Sequence, residues 1–120
     1  MTADTRIEDW DAYSSGLRDR GRELKALHPE LMKGFVALDR GAATTRHLDA
    51  KTREMIALAV AVTTRCEGCI DAHARKAKAA GATKEEIAEA LGVAIALNAG
   101  AALTYSLHVL DAADGAQKLD

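Results

Sequence analysis

Apolar residues recur at three- and four-residue spacing along most of this 120-residue chain, and no segment alternates polar and apolar residues as a half-buried strand does. The single proline, Pro29, stands where the first position of a helix would tolerate it. Only four residues are aromatic, so Ala, Leu, Val and Ile must supply the core. The sequence therefore predicts an all-α, single-domain bundle of about five or six helices over residues 1–120.

Capping and turn residues divide the chain into these helices. The predicted helices cover residues 7–27, 29–39, a central apolar segment that follows caps at Thr44, Thr45 or Asp49, then 66–80, 84–97 and a last helix that reaches 113. Gly41 is expected to end the second helix, and Thr83 with Glu86 forms a capping box before the fifth. Asn98 with Gly100 predicts a kink or break before the last helix.

The charge pattern excludes several classes of partner. A formal net charge of −2 and the lack of a long basic run argue against nucleic-acid binding. Residues 1–10 are acidic and lack the apolar stretch of a secretory signal, and we expect no later run long enough to span a bilayer. We therefore expect a soluble, cytoplasmic protein. A structural disulfide rarely persists in that compartment, so a close pair of cysteines indicates catalysis or metal binding.

The pattern that carries chemistry is Glu54, eleven residues, Cys66-Glu67-Gly68-Cys69, three residues and His73. A cysteine is nucleophilic as its thiolate, and the N-terminus of a helix lowers the pKa of a thiol. Two residues between the cysteines place both sulfurs on one side of the first turn, where a disulfide forms with little backbone movement. The pair is suited to reversible oxidation. The negative charge of Glu67 beside Cys66 favours Cys69 as the attacking thiol.

His73 lies four residues after Cys69, so on a continuous helix its imidazole shares the face of that cysteine and can accept the thiol proton. Glu54 lies roughly 15 Å before the turn and His73 about 12 Å beyond it. If the third and fourth helices form an antiparallel hairpin, Glu54 comes level with His73 and can fix the imidazole tautomer. We expect a relay from Glu54 through His73 to Cys69.

Two other interpretations of these residues stay open. Cys66, Cys69, His73 and a fourth ligand such as Glu54 or His47 would suit tetrahedral zinc. Against this, structural zinc usually organises a chain with little core, whereas this chain has ample apolar helix. Alternatively, Glu54 serves the helix dipole at the surface and His73 faces solvent.

The motif resembles the alkylhydroperoxidase D and carboxymuconolactone decarboxylase superfamily, whose redox members share this Glu, Cys-x-x-Cys and His spacing. The resemblance covers about 48–110. It implies an all-helical homo-oligomer, a trimer or hexamer, that reduces hydroperoxides without a bound cofactor. By this likeness, Cys69 attacks the peroxide to give a sulfenic acid and Cys66 resolves it as a disulfide. A dihydrolipoyl or thioredoxin-like dithiol protein would then restore both thiols.

The chain departs from the alkylhydroperoxidase D pattern at Gly68, where that pattern has a histidine directly before the second cysteine. We therefore expect weaker or differently tuned thiol activation. The lactone decarboxylase branch shares the fold and performs acid–base chemistry with no thiol pair, which makes it the competing enzyme hypothesis. A non-catalytic, redox-sensing or zinc-binding oligomer is the third. So many apolar helical faces on a short chain also predict self-association.

Overall fold

A computed structural model describes residues 7–118, and within them the fold consists of helices without strands. The five helices are α1 (Trp10–Leu27), α2 (Pro29–Ala43), α3 (Ala50–Thr63), α4 (Glu67–Ala79) and α5 (Lys84–Gly115). The predicted all-α fold is confirmed. The expectation that residues 1–10 form no signal segment concerns in part residues 1–6, which lie outside the described residues.

Local capping explains where several helices begin. Pro29 occupies the first turn of α2, as its position predicts. The Asp49 carboxylate accepts a hydrogen bond from the Thr52 N–H at 2.7 Å and begins α3, and this hydrogen bond holds the pKa of Asp49 below its ordinary value. Thr83 and Glu86 form the predicted reciprocal capping box at the start of α5.

The two predicted interruptions at glycines are wrong. α2 continues past Gly41 and ends at a cap on Thr44, and α5 is one continuous helix of 32 residues through Asn98 and Gly100. The Asn98 Nδ2 donates to the Ala94 carbonyl at 2.7 Å, so the side chain bonds within the helix instead of breaking it. A glycine inside a helix costs only about 1 kcal/mol relative to alanine, which the rest of a long helix outweighs.

α3 occupies the middle of the fold. It packs against both α4 and α5. Helix α1 packs against α2 and also against α4, so it connects the first two helices to the rest of the fold. The buried side chains in the described chain are Ser14, Glu54, Leu58, Ala61, Asp71, Ala77 and Ala94. Three of these are alanines, which allow close approach of the helices. Much of the remaining apolar surface is exposed.

The continuity of α5 also corrects the membrane expectation. Residues 90–110 contain no Asp, Glu, Lys or Arg, and α5 is long and apolar enough to cross a membrane by length and composition. The expectation that no apolar run is long enough to span a bilayer is wrong, because the predicted break at Asn98 and Gly100 is absent and the helix is continuous. A helix that packs against other protein surfaces has the same composition, so the apolar length alone does not identify its neighbour.

Candidate functional site

A tight turn between α3 and α4 places the two cysteines at the start of α4. Arg65 adopts a left-handed conformation with φ of 54°, which few residues with a side chain adopt, and it reverses the chain after α3. The Cys66 N–H then donates to the Ala61 carbonyl at 3.0 Å. Cys66 is the N-cap of α4, and its Sγ accepts from the Cys69 N–H at 3.2 Å. The turn therefore fixes both sulfurs at the positive end of the helix.

Cys66 and Cys69 are joined by a disulfide, with 5.2 Å between their Cα atoms. The bond closes within one helical turn, as the spacing of the two residues allows. The structure thus holds the oxidised form of the pair. Reduction of this bond by two electrons and two protons would give two thiols at the same helix end.

Glu54 and His73 meet across the interface between α3 and α4. The Glu54 Oε2 lies 2.6 Å from the His73 Nδ1, and the Glu54 side chain is 5% exposed. The Arg53 Nε lies 3.6 Å from the other carboxylate oxygen of Glu54. This contact arises because the short turn makes α3 and α4 antiparallel, which brings Glu54 level with His73.

The hydrogen bond defines which imidazole nitrogen is available for proton transfer. When Glu54 is ionised, the His73 Nδ1–H donates to it, which leaves Nε2 with a lone pair. Within residues 7–118, Nε2 has no hydrogen-bond partner. His73 lies one helical turn after Cys69, and both side chains reach the same cavity. The arrangement presents a base beside a cysteine.

This cavity lies between α2, α3 and α4 and has a volume of about 420 Å³. Glu54, Cys69 and His73 line it, whereas Cys66 does not. Its other polar lining residues are Asp39, Thr45, Arg53, Thr64 and Lys76, and its apolar lining residues are Ala42, Ala43, Leu48, Ile56, Ala57, Val60 and Ala61. The cavity therefore presents one cysteine of the pair to a molecule with an apolar body.

The opposite face of α4 anchors α1, a feature that the sequence analysis missed. Arg75 donates from Nε to the buried Asp71 at 2.9 Å and from Nη1 to Asp11 at 2.8 Å. The hydrogen bond to Asp71, and then that to Asp11, raises the pKa of Arg75 above its ordinary value. The four-residue spacing of Asp71 and Arg75 in the sequence indicates an ion pair within the helix, but it does not show that Asp71 is buried.

A second contact with α1 lies at the cysteine turn itself. A Cβ atom placed on Gly68 would meet the Leu17 Cδ1 at 3.1 Å, which is tighter than ordinary van der Waals contact. Gly68 therefore allows α1 to pack directly over the residues between the cysteines.

The residues of the alternative zinc set are joined in two pairs, with Glu54 on His73 and Cys66 on Cys69. In the described part of the chain, no three His, Cys, Asp or Glu side chains are grouped as a metal site would need. His47 is not among the residues that line the cavity.

The chain is similar in sequence to bacterial proteins. The chain is 55% identical over 104 residues to an uncharacterized protein of Haemophilus influenzae, covering 87% of this chain and 92% of that protein. It is 44% identical over 85 residues to uncharacterized protein 4 in the cox locus of Paracoccus denitrificans, covering 68% and 77% of the two chains.

A crystal structure shares the fold. The apo form of a carboxymuconolactone decarboxylase family protein from Legionella pneumophila matches with a TM-score of 0.71 and 34% identity, covering 88% of this chain and 95% of that chain. The profile of the carboxymuconolactone decarboxylase family matches residues 29–112, which include the cavity and all four site residues. On these grounds, the chain belongs to the carboxymuconolactone decarboxylase family.

Proposed function

We propose that this protein is a thiol-dependent hydroperoxide reductase. The observation that carries the proposal is that Cys69, disulfide-linked to Cys66 at the start of α4, lines the same cavity as the Glu54–His73 pair. A sulfur, a base and a carboxylate that orients the base therefore line one cavity. This combination suits nucleophilic attack by a thiolate.

The first step oxidises Cys69. The His73 Nε2 accepts the thiol proton, and the thiolate attacks one oxygen of the hydroperoxide. An S–O bond forms and the O–O bond breaks, so the sulfur loses two electrons and the peroxide gains them. The proton on His73 passes to the departing oxygen, which leaves as an alcohol. Cys69 is left as a sulfenic acid.

The second step forms the disulfide that the structure contains. The Cys66 sulfur attacks the Cys69 sulfur, an S–S bond forms, and the sulfenic oxygen leaves as water with the Cys66 proton. A dithiol partner then exchanges with this disulfide, becomes oxidised itself and restores both cysteines. A dihydrolipoyl or thioredoxin-like protein supplies this chemistry. No bound cofactor takes part in the proposed cycle.

The cavity favours an organic hydroperoxide over hydrogen peroxide as the substrate. Much of its lining consists of alanine, leucine, isoleucine and valine side chains, which stabilise an apolar body by excluding water. The need for a dithiol reductant fits a reducing compartment, so we place the protein in the cytoplasm. We further propose that it functions as a homo-oligomer.

The direct test is hydroperoxide consumption by the pre-reduced, metal-free protein with dihydrolipoamide as the electron donor. Cumene hydroperoxide serves as the substrate, and free thiols are counted before and after it is added. With the donor present, we expect sustained turnover. With the donor omitted, we expect the loss of two thiols per chain. Retained thiols without turnover would contradict the proposal.

The buried Glu54–His73 pair also supports a second candidate, lactone decarboxylation by acid–base chemistry without thiols. The variant Cys66→Ser/Cys69→Ser separates the two functions because it removes both sulfurs and leaves the Glu54–His73 contact in place. Decarboxylation of a muconolactone by this variant at the wild-type rate would favour the lyase. Slow oxidation of the wild-type thiols without turnover would instead favour a redox sensor.

A further inference from the structure

One cation on the lining of the candidate site forms no ion pair within residues 7–118. This residue is Lys76, near the end of α4. Neighbouring cations on α3 and α4 do pair with carboxylates, namely Lys51, Arg53 and Arg75. The Lys76 side chain is exposed, whereas Glu54 on the lining of the same cavity is buried. An ammonium group without a carboxylate partner therefore lies on the solvent side of the cavity.

Lys76 lies on the same face of α4 as the two side chains of the proposed thiol chemistry. Cys69, His73 and Lys76 follow one another at spacings of four and three residues, which places them in one row on an α-helix. All three line the cavity. At 1.5 Å per residue, Lys76 lies about 10 Å from Cys69 along the helix axis. A sulfur therefore stands at one end of this row and a positive charge at the other.

Apolar side chains of α2 and α3 line the same cavity. They include Ala43 of α2 and Ile56 and Val60 of α3. The cavity volume of about 420 Å³ lies within the range of small-molecule pockets. An extended chain advances about 3.5 Å for every three bonds, so about eight or nine bonds span 10 Å. These dimensions match an alkyl chain of medium length.

The other charges of the lining differ from Lys76 in their surroundings. The Arg53 Nε lies 3.6 Å from one carboxylate oxygen of Glu54, and the other oxygen of Glu54 contacts His73. These three groups are therefore directed at one another. Asp39 of α2 also lines the cavity and forms no ion pair with Lys76. Its negative charge opposes an anion in the cavity, so its removal should have the opposite effect to removal of Lys76.

We propose that Lys76 binds a carboxylate, and that the substrate is an alkyl hydroperoxide that carries this carboxylate about eight or nine bonds from the hydroperoxide group. The inference rests on the proposed peroxidase function and names its substrate class. The ammonium group binds the carboxylate, the apolar lining covers the alkyl chain, and the hydroperoxide reaches the Cys69 sulfur. The carboxylate takes no part in the oxidation, so Lys76 contributes to KM and not to kcat.

A pair of substrates that differ only in charge tests this inference. The substrates are ω-hydroperoxydecanoic acid and its methyl ester, and their consumption is measured with the pre-reduced protein and dihydrolipoamide. The ratio of KM for the ester to KM for the acid should fall about fivefold in Lys76→Gln, the change that the upper range of exposed ion pairs gives. We expect kcat to stay at the wild-type value. An equal ratio in Lys76→Gln and the wild type would overturn the inference.

Two further variants provide matched controls. Lys78→Gln removes the same charge from the last turn of α4 at a residue that does not line the cavity. It therefore reproduces any effect on the helix dipole and should keep the wild-type ratio. Asp39→Asn removes a negative charge from the lining and should raise the ratio. A fall in the ratio for Lys78→Gln as large as that for Lys76→Gln would contradict a local carboxylate contact.

Binding of decanoate separates this inference from the proposed function, because it needs no thiol chemistry. Titration of the oxidised protein, followed by NMR chemical shifts of the α4 amides, gives Kd for decanoate and for uncharged decanol. We expect Lys76→Gln to weaken decanoate binding about fivefold and to leave decanol binding unchanged. If decanoate binds in this way and the hydroperoxy acid is not consumed, the carboxylate site stands and only the catalytic assignment fails. No decanoate binding, or equal Kd values in Lys76→Gln and Lys78→Gln, would overturn the carboxylate site.

Discussion

At the residue scale, the two cysteines occupy different environments although they are only three positions apart. Cys69 lines the apolar cavity together with His73, whereas Cys66 forms the helix N-cap outside its lining. A substrate in the cavity therefore meets one sulfur first. This asymmetry supports the assignment of Cys69 as the attacking thiol and Cys66 as the resolving thiol.

Single cysteine variants test that assignment. Cys69→Ser should abolish hydroperoxide turnover, because no thiolate remains in the cavity. Cys66→Ser should still react once and stop at a sulfenic acid or a mixed disulfide, because no neighbouring thiol can resolve it. Mass spectrometry with a sulfenic-acid trapping reagent distinguishes the two variants. Full turnover by Cys69→Ser would reverse or remove the proposed roles.

The contact between Glu54 and His73 leads to a second prediction. Glu54→Gln keeps the size of the side chain but removes the charge that orients His73, so turnover should fall by roughly 10–100-fold. Circular dichroism should show unchanged helicity. Glu89→Gln, an exposed substitution of the same type on α5, is the control and should have wild-type turnover. An unchanged rate for Glu54→Gln would assign Glu54 a structural role alone.

The sequence could predict the Glu54–His73 contact because a regular helix rise and a short turn determine which residues become level. It could not predict the Arg75–Asp11 ion pair or the contact of Leu17 with Gly68. Those contacts depend on the direction in which α1 crosses α4, and no local spacing specifies that direction. The missed contacts thus join residues that are distant in the sequence.

At the scale of helices, α5 shows how a local signal for a break can be overruled. Asn98 and Gly100 are unfavourable inside a helix, so the local sequence predicts two helices here. Asn98 instead bonds to Ala94 in its own helix and to Thr63 in α3. The capping residues at the helix starts were more informative, because an N-cap needs partners only within its own first turn.

The pair formed by Lys51 and Glu86 makes the stability of the α3–α5 contact dependent on pH. The Lys51 Nζ lies 2.7 Å from the Glu86 Oε2. The hydrogen bond from Lys51, and then that from the Thr83 N–H, lowers the pKa of Glu86 from its ordinary 4.5. A lowered folded-state pKa stabilises the fold above pH 4.5, and this contribution is lost as the pH falls through the lowered value.

We therefore expect Glu86→Gln to lower the Tm near neutral pH and to approach the wild type at pH values below 4.5. Thermal unfolding followed by circular dichroism between pH 7 and pH 3 measures the difference. Glu89→Gln controls for the removal of a negative charge from α5. A Tm difference between wild type and Glu86→Gln that does not decrease at low pH would show that the loss comes from packing and not from ionisation.

At the scale of the whole molecule, few side chains are buried and the chain extends over 55 × 45 × 40 Å. The sequence indicated an apolar excess but not its location, because the exposure of Val93, Ile95 and Leu97 depends on how α5 lies beside α3. If the proposed homo-oligomer covers this exposed apolar surface of α5, much of the free energy of unfolding comes from contacts between subunits.

Thermal stability should then depend on protein concentration. Raising the concentration about 100-fold should raise the wild-type Tm, because association stabilises the folded state by mass action. Leu97→Lys, which places a charge on the exposed apolar surface of α5, should show a lower Tm with little dependence on concentration. Scanning calorimetry over this range measures both, and a wild-type Tm that stays constant would contradict obligate association.

The contact between Leu17 and Gly68 makes the size of the side chain at one position depend on the size of the side chain at the other. A Cβ atom on Gly68 would lie 3.1 Å from the Leu17 Cδ1, so a larger residue there requires the Leu17 side chain to move by a few tenths of an ångström. A relative that carries an imidazole directly before its second cysteine therefore needs another side-chain conformation or residue at position 17, or a displaced first helix. The residue at the cysteine turn and the residue that covers it are thus expected to change together.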